Sequence, residues 1–246
     1  MKGAMTRSSV NQILLRSKPG IIALFDPDRM SLAQAKKMTT VVGDSGVSAI
    51  LIGSSLLISP HFDEFVRCVK KNSSCPVILF PGGSHQVSKD ADAIFFLSLL
   101  SGRNPEFLIG EQVKAVFLIR SHKLEVIPVG YLLIESGACT AVEYISNTKP
   151  IPRNKPEICI AHALAGEFLG SKYIYLEAGS GALRPVPVEM IRETKKSISI
   201  PLIVGGGIRK TRDARQALDA GADFIVLGSV IERSPATFRE IMRSVQ

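Results

Sequence analysis

Eight short apolar runs punctuate the chain, at residues 21–25, 48–53, 76–80, 92–97, 125–134, 172–177, 201–204 and 223–227. Runs this continuously apolar fit strands covered on both faces, as in a parallel sheet. Helical periodicity occupies residues 32–43, 62–71, 111–119, 157–169, 188–197, 211–220 and 236–245, with Ser31 in position to cap the first of these. Strands alternating with helices make βαβ units. Eight such units close into a barrel more readily than into an open sheet. The length of 246 residues sits near the roughly 250 usual for a barrel of this kind. The expected fold is α/β, a (β/α)8 TIM-type barrel forming a single domain over residues 1–246.

One unit is short. About ten residues separate Phe80 from Asp92, beginning Pro81-Gly82-Gly83, and a crossover needs about 10–12 residues. The third helix is therefore expected to be missing or reduced, leaving a gap in the outer wall. Residues 136–156, with Asn147, Pro150, Pro152, Asn154 and Pro156, read as the longest loop. It falls on the C-terminal face, where barrel active sites are built. Lys149, Arg153 and Lys155 make it basic, which suits either an anion-attracting lid or a solvated surface loop.

A net charge of +8 raises the question of nucleic acid. Trp is absent, the four Tyr are scattered, and no zinc-finger or RNP-type motif occurs, so no nucleic-acid partner is expected. No apolar stretch is long enough to span a bilayer. The N-terminal stretch lacks the apolar core of a signal peptide. A cytoplasmic protein with reduced thiols is expected. Cys68, Cys75, Cys139 and Cys159 form no C-x-x-C pair and are expected to be free and buried. His61, His85, His122 and His162 adjoin no nucleophile motif and read as structural or surface residues.

The chemistry concentrates at the ends of the apolar runs. The seventh run leads into Gly205-Gly206-Gly207, and the eighth ends at Gly228-Ser229. Loops after the seventh and eighth barrel strands commonly hold phosphate, because glycine lets backbone N–H groups approach an anion closely. The sixth run ends in Tyr175-Leu176-Glu177-Ala178-Gly179-Ser180-Gly181. A carboxylate there overlooks the barrel mouth and can serve as a general base or orient a hydroxyl. The first run ends Asp26-Pro27-Asp28, and the second ends Gly53-Ser54-Ser55. Carboxylate and hydroxyl oxygens on adjacent strands suit Mg²⁺ together with substrate phosphate. The same aspartates also suit a simple turn and cap.

Taken together with Gly130-Tyr131, these motifs resemble the geranylgeranylglyceryl phosphate synthase family. The resemblance runs from about Ile21 to Arg243. The run at 175–182 and the Val204–Arg209 segment, VGGGIR, are its specific parts. Residues 150–162 resemble the subgroup that carries YLEAGSG at 175–181. The resemblance implies a barrel lacking its third helix, which agrees with the short connection before Asp92. It implies a prenyltransferase that joins the 3-hydroxyl of sn-glycerol 1-phosphate to a polyprenyl diphosphate, geranylgeranyl by analogy, using Mg²⁺, as the first ether-bond step of lipid biosynthesis. Carried over by position, glycerol phosphate lies on Tyr175, Leu176, Glu177, Ala178, Gly179, Ser180, Gly181, Gly206, Gly207, Gly228 and Ser229. Mg²⁺ lies on Asp26 and Ser55. Glu177 is the base, and Tyr131 lines the site with it. The chain departs from relatives at Arg29, where Lys is common, and at Leu24, where another subgroup has a phosphate-contacting Lys. Barrels of this kind associate, so a homo-oligomer is expected, with transient membrane contact for the lipid product. Two other readings of the glycine loops stand beside this one. One is a phosphosugar isomerase or amino-acid biosynthetic barrel, and the other is a non-catalytic phosphometabolite-binding barrel.

Overall fold

A computed structural model describes residues 9–245. The ends of the expected 1–246 domain, residues 1–8 and 246, lie outside the described residues. In chain order the elements are α1 (Val10–Arg16), β1 (Gly20–Phe25), α2 (Leu32–Asp44), β2 (Ala49–Ile52), α3 (Phe62–Asn72), β3 (Val77–Leu79) and β4 (Ala93–Leu99). A π-helical turn (Glu106–Gly110) then runs into α4 (Glu111–His122). After it come β5 (Glu125–Leu133), α5 (Ala141–Ser146), α6 (Pro156–Phe168), β6 (Tyr173–Glu177), α7 (Val188–Ser197) and β7 (Leu202–Gly205). The last elements are α8 (Thr211–Asp219), β8 (Phe224–Leu227), α9 (Ser229–Arg233) and α10 (Pro235–Val245). The strands form a closed parallel barrel in sequence order, with β8 pairing back to β1.

Strand periodicity sorts the side chains into two cores. Ile21, Ala23, Phe25, Ile174, Leu176, Leu202, Val204, Ile225 and Leu227 point outward and pack with the helices. Ile22, Phe95, Tyr131, Tyr173, Tyr175, Ile203, Phe224 and Val226 point inward and fill the barrel. Three of the four Tyr, scattered in sequence, thus meet in one interior. Tyr175 stacks on Phe80 at 5.4 Å and meets the Tyr131 ring edge-on at 5.3 Å. Such packed aromatic contacts hold the upper interior rigid.

The connection from β3 to β4 contains no helix. Residues 80–92 instead form an irregular strap across the wall. The long loop expected at 136–156 differs from expectation. It contains α5, capped by the Thr140 hydroxyl, and Ile151 makes a parallel bridge to Ile134. Only Cys159 among the four cysteines is buried; Cys139 is exposed, and Cys68 and Cys75 are half-buried. The expectation that all four are buried is therefore corrected: three lie where helix and loop surfaces meet solvent.

Helix α1, which periodicity did not reveal, closes the N-terminal end of the barrel. Val10 and Leu14 enter the interior core. The Glu125 carboxylate accepts the Val10 and Asn11 N–H groups at 2.6 and 2.9 Å. A carboxylate there satisfies otherwise unpaired N-terminal amides and favours the helix dipole. The Tyr173 hydroxyl donates to Asn11 Oδ1 at 2.8 Å. With this end plugged, the C-terminal mouth is the open one.

Candidate active site

Two residues past an inward side chain, the chain again points inward. On β6 this places Glu177 above Tyr175, at the rim. On β1 it places Asp26 above Leu24, just beyond the strand end. Both open into one cavity, as do Ser55, Tyr131, Tyr175, Gly179, Ser180, Gly181, Gly206, Gly207, Gly228 and Ser229. Leu176 and Ala178 do not line it: their side chains lie in the outer core, and the Ala178 N–H is taken by the Gly205 carbonyl at 3.0 Å.

Glu177 is buried, at 6% exposure. Its Oε1 accepts the Gly179 N–H at 2.6 Å. Burial raises its pKa to about 7, opposed by that N–H and by the Tyr175 hydroxyl beside it. The neighbouring Gly206 has φ +79°, and a Cβ there would lie 2.3 Å from Glu177 Oε1. Only glycine serves at this position, on both conformational and steric grounds. The β6 and β7 loops therefore meet around the carboxylate, and with the β8 loop and the first turn of α9 they line the cavity as a backbone cradle. Free N–H groups at a helix start and on such loops suit a phosphate.

The aspartates of the first loop have separate duties. Asp28 accepts the Ile58 and Ser59 N–H groups, tying the β1 and β2 loops together. Asp26 faces the cavity, accepts the Asp28 N–H at 3.0 Å and lies 3.3 Å from Arg29. Glu232, on α9, lines the same corner. Burial raises the pKa of both carboxyls; the Asp28 charge adds to the rise at Asp26, the Asp26 charge adds to that at Glu232, and Arg29 opposes both. Glu232 and Gln86 were not singled out from sequence, and Arg209 only as the end of the VGGGIR segment. Glu232 lies four residues beyond Gly228, within reach of the cradle by helical spacing alone.

From this polar corner the cavity continues as an apolar groove. It runs under the strap and along α4, between Val87, Ile94, Phe96, Phe107, Ala115 and Ile119. The missing helix thus creates an opening with an apolar lining. Arg153 takes no part in the cavity. Its guanidinium donates to the Glu135 and Pro185 carbonyls at 3.0 and 2.8 Å, bracing the β5 and β6 loops. None of the four histidines lines the cavity. Among the described residues, no group of three or more His, Cys, Asp and Glu side chains forms a metal cage.

Residues 12–245 match the PcrB family. The chain is 49% identical over 212 residues to the geranylgeranylglyceryl phosphate synthase of Thermococcus gammatolerans, covering 86% of this chain and 83% of the relative. It is 43% identical over 238 residues to the enzyme of that name from Chitinophaga pinensis, covering 96% and 94%. The chain belongs to the geranylgeranylglyceryl phosphate synthase (PcrB) family.

The family's barrel is already known in three dimensions. The crystal structure of (S)-3-O-geranylgeranylglyceryl phosphate synthase from Thermoplasma acidophilum, in complex with its substrate sn-glycerol-1-phosphate, matches this chain with a TM-score of 0.92 and 33% identity. The match covers 97% of this chain and 99% of that one. Membership bears out the expectations of the motifs: a TIM-type barrel and a transferase enzyme. It sets aside the isomerase and non-catalytic alternatives.

Proposed function

We propose that this chain joins the 3-hydroxyl of sn-glycerol 1-phosphate to C1 of a polyprenyl diphosphate, geranylgeranyl by the relatives' names, in a single-domain barrel. The observation that carries the residue assignment is the placement of Glu177. It lines the cavity that holds both the anion cradle and the apolar groove, with a carboxyl whose pKa is about 7. The cradle of residues 179–181, 206–207 and 228–229 takes the glycerol phosphate. The groove along α4 takes the prenyl tail.

Glu177 accepts the hydroxyl proton as the oxygen–C1 bond forms. The C1–oxygen bond to diphosphate breaks, and diphosphate leaves with the electron pair. A carboxyl titrating near 7 is matched to this transfer. Holding both substrates along one line, between cradle and groove, supplies much of the acceleration. Tyr131 closes the interior face of the site beside Glu177.

The oxygen donors at the opposite rim fit Mg²⁺. Asp26 and Glu232 bring two carboxyls there, beside the Ser54 and Ser55 hydroxyls. Hard oxygen ligands in small number, completed by substrate phosphate, are what Mg²⁺ takes. Asp26 and Ser55 are its holders in this reading. The chemistry Mg²⁺ supplies when bound is neutralisation of charge on the departing diphosphate.

The reading extends to the molecule's setting. Among the described residues, no helix is long and apolar enough to cross a membrane. A cytoplasmic enzyme that touches the bilayer only to release its lipid agrees with this. An apolar stripe on α4 supports association with further copies.

Purified protein incubated with radiolabelled sn-glycerol 1-phosphate, Mg²⁺ and prenyl diphosphates of several lengths tests the reaction. Label extracted into organic solvent, largely lost in Asp26→Asn, is the expected outcome. No labelled lipid with any donor, although glycerol phosphate still binds, overturns it.

A further inference from the structure

The strap over residues 80–92 replaces a helix, yet it carries one fully buried polar side chain with a specific task. Gln86 is 0% exposed. Its Oε1 accepts the Ser54 N–H at 3.1 Å, and its Nε2 donates to the Ser54 carbonyl at 2.7 Å. A single side-chain amide thus satisfies both backbone groups of one residue, as a neighbouring strand would. The pairing continues the β2–β3 ladder past its end, where the Phe80 N–H still donates to the Ile52 carbonyl at 2.8 Å.

The fit is close. A Cβ on Gly53 would lie 1.8 Å from the Phe80 carbonyl oxygen and 3.4 Å from Gln86 Oε1. The Ser54 peptide is therefore clasped between β1, through the Gly53 N–H donating to the Phe25 carbonyl at 3.3 Å, and the strap. Without Gln86 it would be the free end of a loop. Ser54 and Ser55 face the cavity beside Asp26.

We propose that Gln86 is a positioning residue. It fixes the Ser54 peptide so that the Ser55 hydroxyl is held ready at the metal and diphosphate end of the site. This rests on the assignment of Asp26 and Ser55 to Mg²⁺ made above. The amide's polarity matters as well as its bulk, since one end must accept and the other donate. An apolar side chain of the same length leaves a buried N–H and carbonyl unpaired.

Gln86→Met tests this against wild type, using Mn²⁺ with inorganic pyrophosphate followed by electron paramagnetic resonance. Glycerol phosphate binding is followed separately by calorimetry. The expected result is a roughly tenfold loss of Mn²⁺–pyrophosphate affinity, with glycerol phosphate affinity changed less than twofold. A rise in KM for the prenyl diphosphate, exceeding any change for glycerol phosphate, is expected to accompany it. Equal losses for both ligands, or no loss for either, overturn the proposal. Wild type that binds glycerol phosphate but no Mn²⁺–pyrophosphate overturns instead the metal assignment on which it rests. Hydrogen exchange on unmodified protein gives a check independent of the variant's folding. Ser54 N–H protection comparable to that of β2 is expected, and exchange at open-loop rates overturns the proposal.

Discussion

Among the described residues no cation acts on Glu177 to offset its burial; the causes are desolvation, an N–H and a phenol. Its charged form is therefore disfavoured in the folded chain. Two consequences follow with opposite signs. In the proposed reaction the carboxylate must be ionised, so kcat/KM is expected to fall as pH drops through about 7. For stability, the folded pKa lies above the unfolded value of about 4.5. The fold is favoured most below that lower value and loses this contribution as pH rises through about 7. The shift corresponds to roughly 3 kcal/mol. Glu177→Gln keeps the acceptor for the Gly179 N–H and removes the charge. It is expected to lower kcat/KM by about 10²–10⁴-fold while raising the unfolding temperature at pH 8 and changing it far less at pH 5. Thermal melts of both proteins at the two pH values check this. A variant no more stable at pH 8 means that the carboxylate is solvated in the folded protein. A variant that is more stable at pH 8 means that the ionised carboxylate costs stability at this position.

At the scale of elements, the groove is a product of what is missing. Where β3 returns to β4 without a helix, α4 and the strap are left facing each other with apolar sides. Ala115 lies on the α4 wall at 6% exposure. Ala115→Phe fills the far part of the groove while leaving the polar corner alone. It is expected to shift preference from a geranylgeranyl toward a farnesyl donor by tenfold or more, since a few displaced methylenes are worth about 1–3 kcal/mol. Competition between the two diphosphates measures the ratio directly, and an unchanged ratio places the tail elsewhere. The gap itself was legible in sequence, because ten residues cannot hold a crossover helix. So were the strands, because runs buried on both faces carry a strong signal. Helix α1 was not legible: its seven residues show only the short apolar run 13–15, of which Leu14 is buried and Leu15 exposed. Gln86 was not legible either. The strap has no periodicity, and its partner Ser54 stands 32 positions away. The placement of Glu177 and the glycine loops around one cavity was legible because it follows from their position at the ends of consecutive strands.

At the scale of the whole molecule, the outer side of α4 carries a row of exposed apolar side chains that the barrel core does not use. Val113, Val116 and Phe117 are exposed there, at 60, 39 and 73%, and Ile109 of the preceding π-helical turn extends the row at 57%. Their spacing of four, seven and eight positions places them on one side of the helical run. The inner side of the same helix lines the groove through Ala115 and Ile119. Single exposed apolar residues are ordinary, but a contiguous stripe marks an interaction surface. Arg120 lies over the Phe117 ring at 5.5 Å, so the stripe is bordered by charge. Helix stripes of this spacing pack against each other across a two-fold axis, which suits the association expected of this chain. Phe117→Glu replaces the most exposed apolar side chain of the stripe with a carboxylate, which disfavours its burial against a second copy. Sedimentation velocity is expected to show wild type as an oligomer and the variant as a smaller species at the same concentration. An oligomer unchanged by Phe117→Glu assigns the contact to another face. A monomeric wild type removes the association altogether and leaves the stripe open to the lipid surface into which the product must pass.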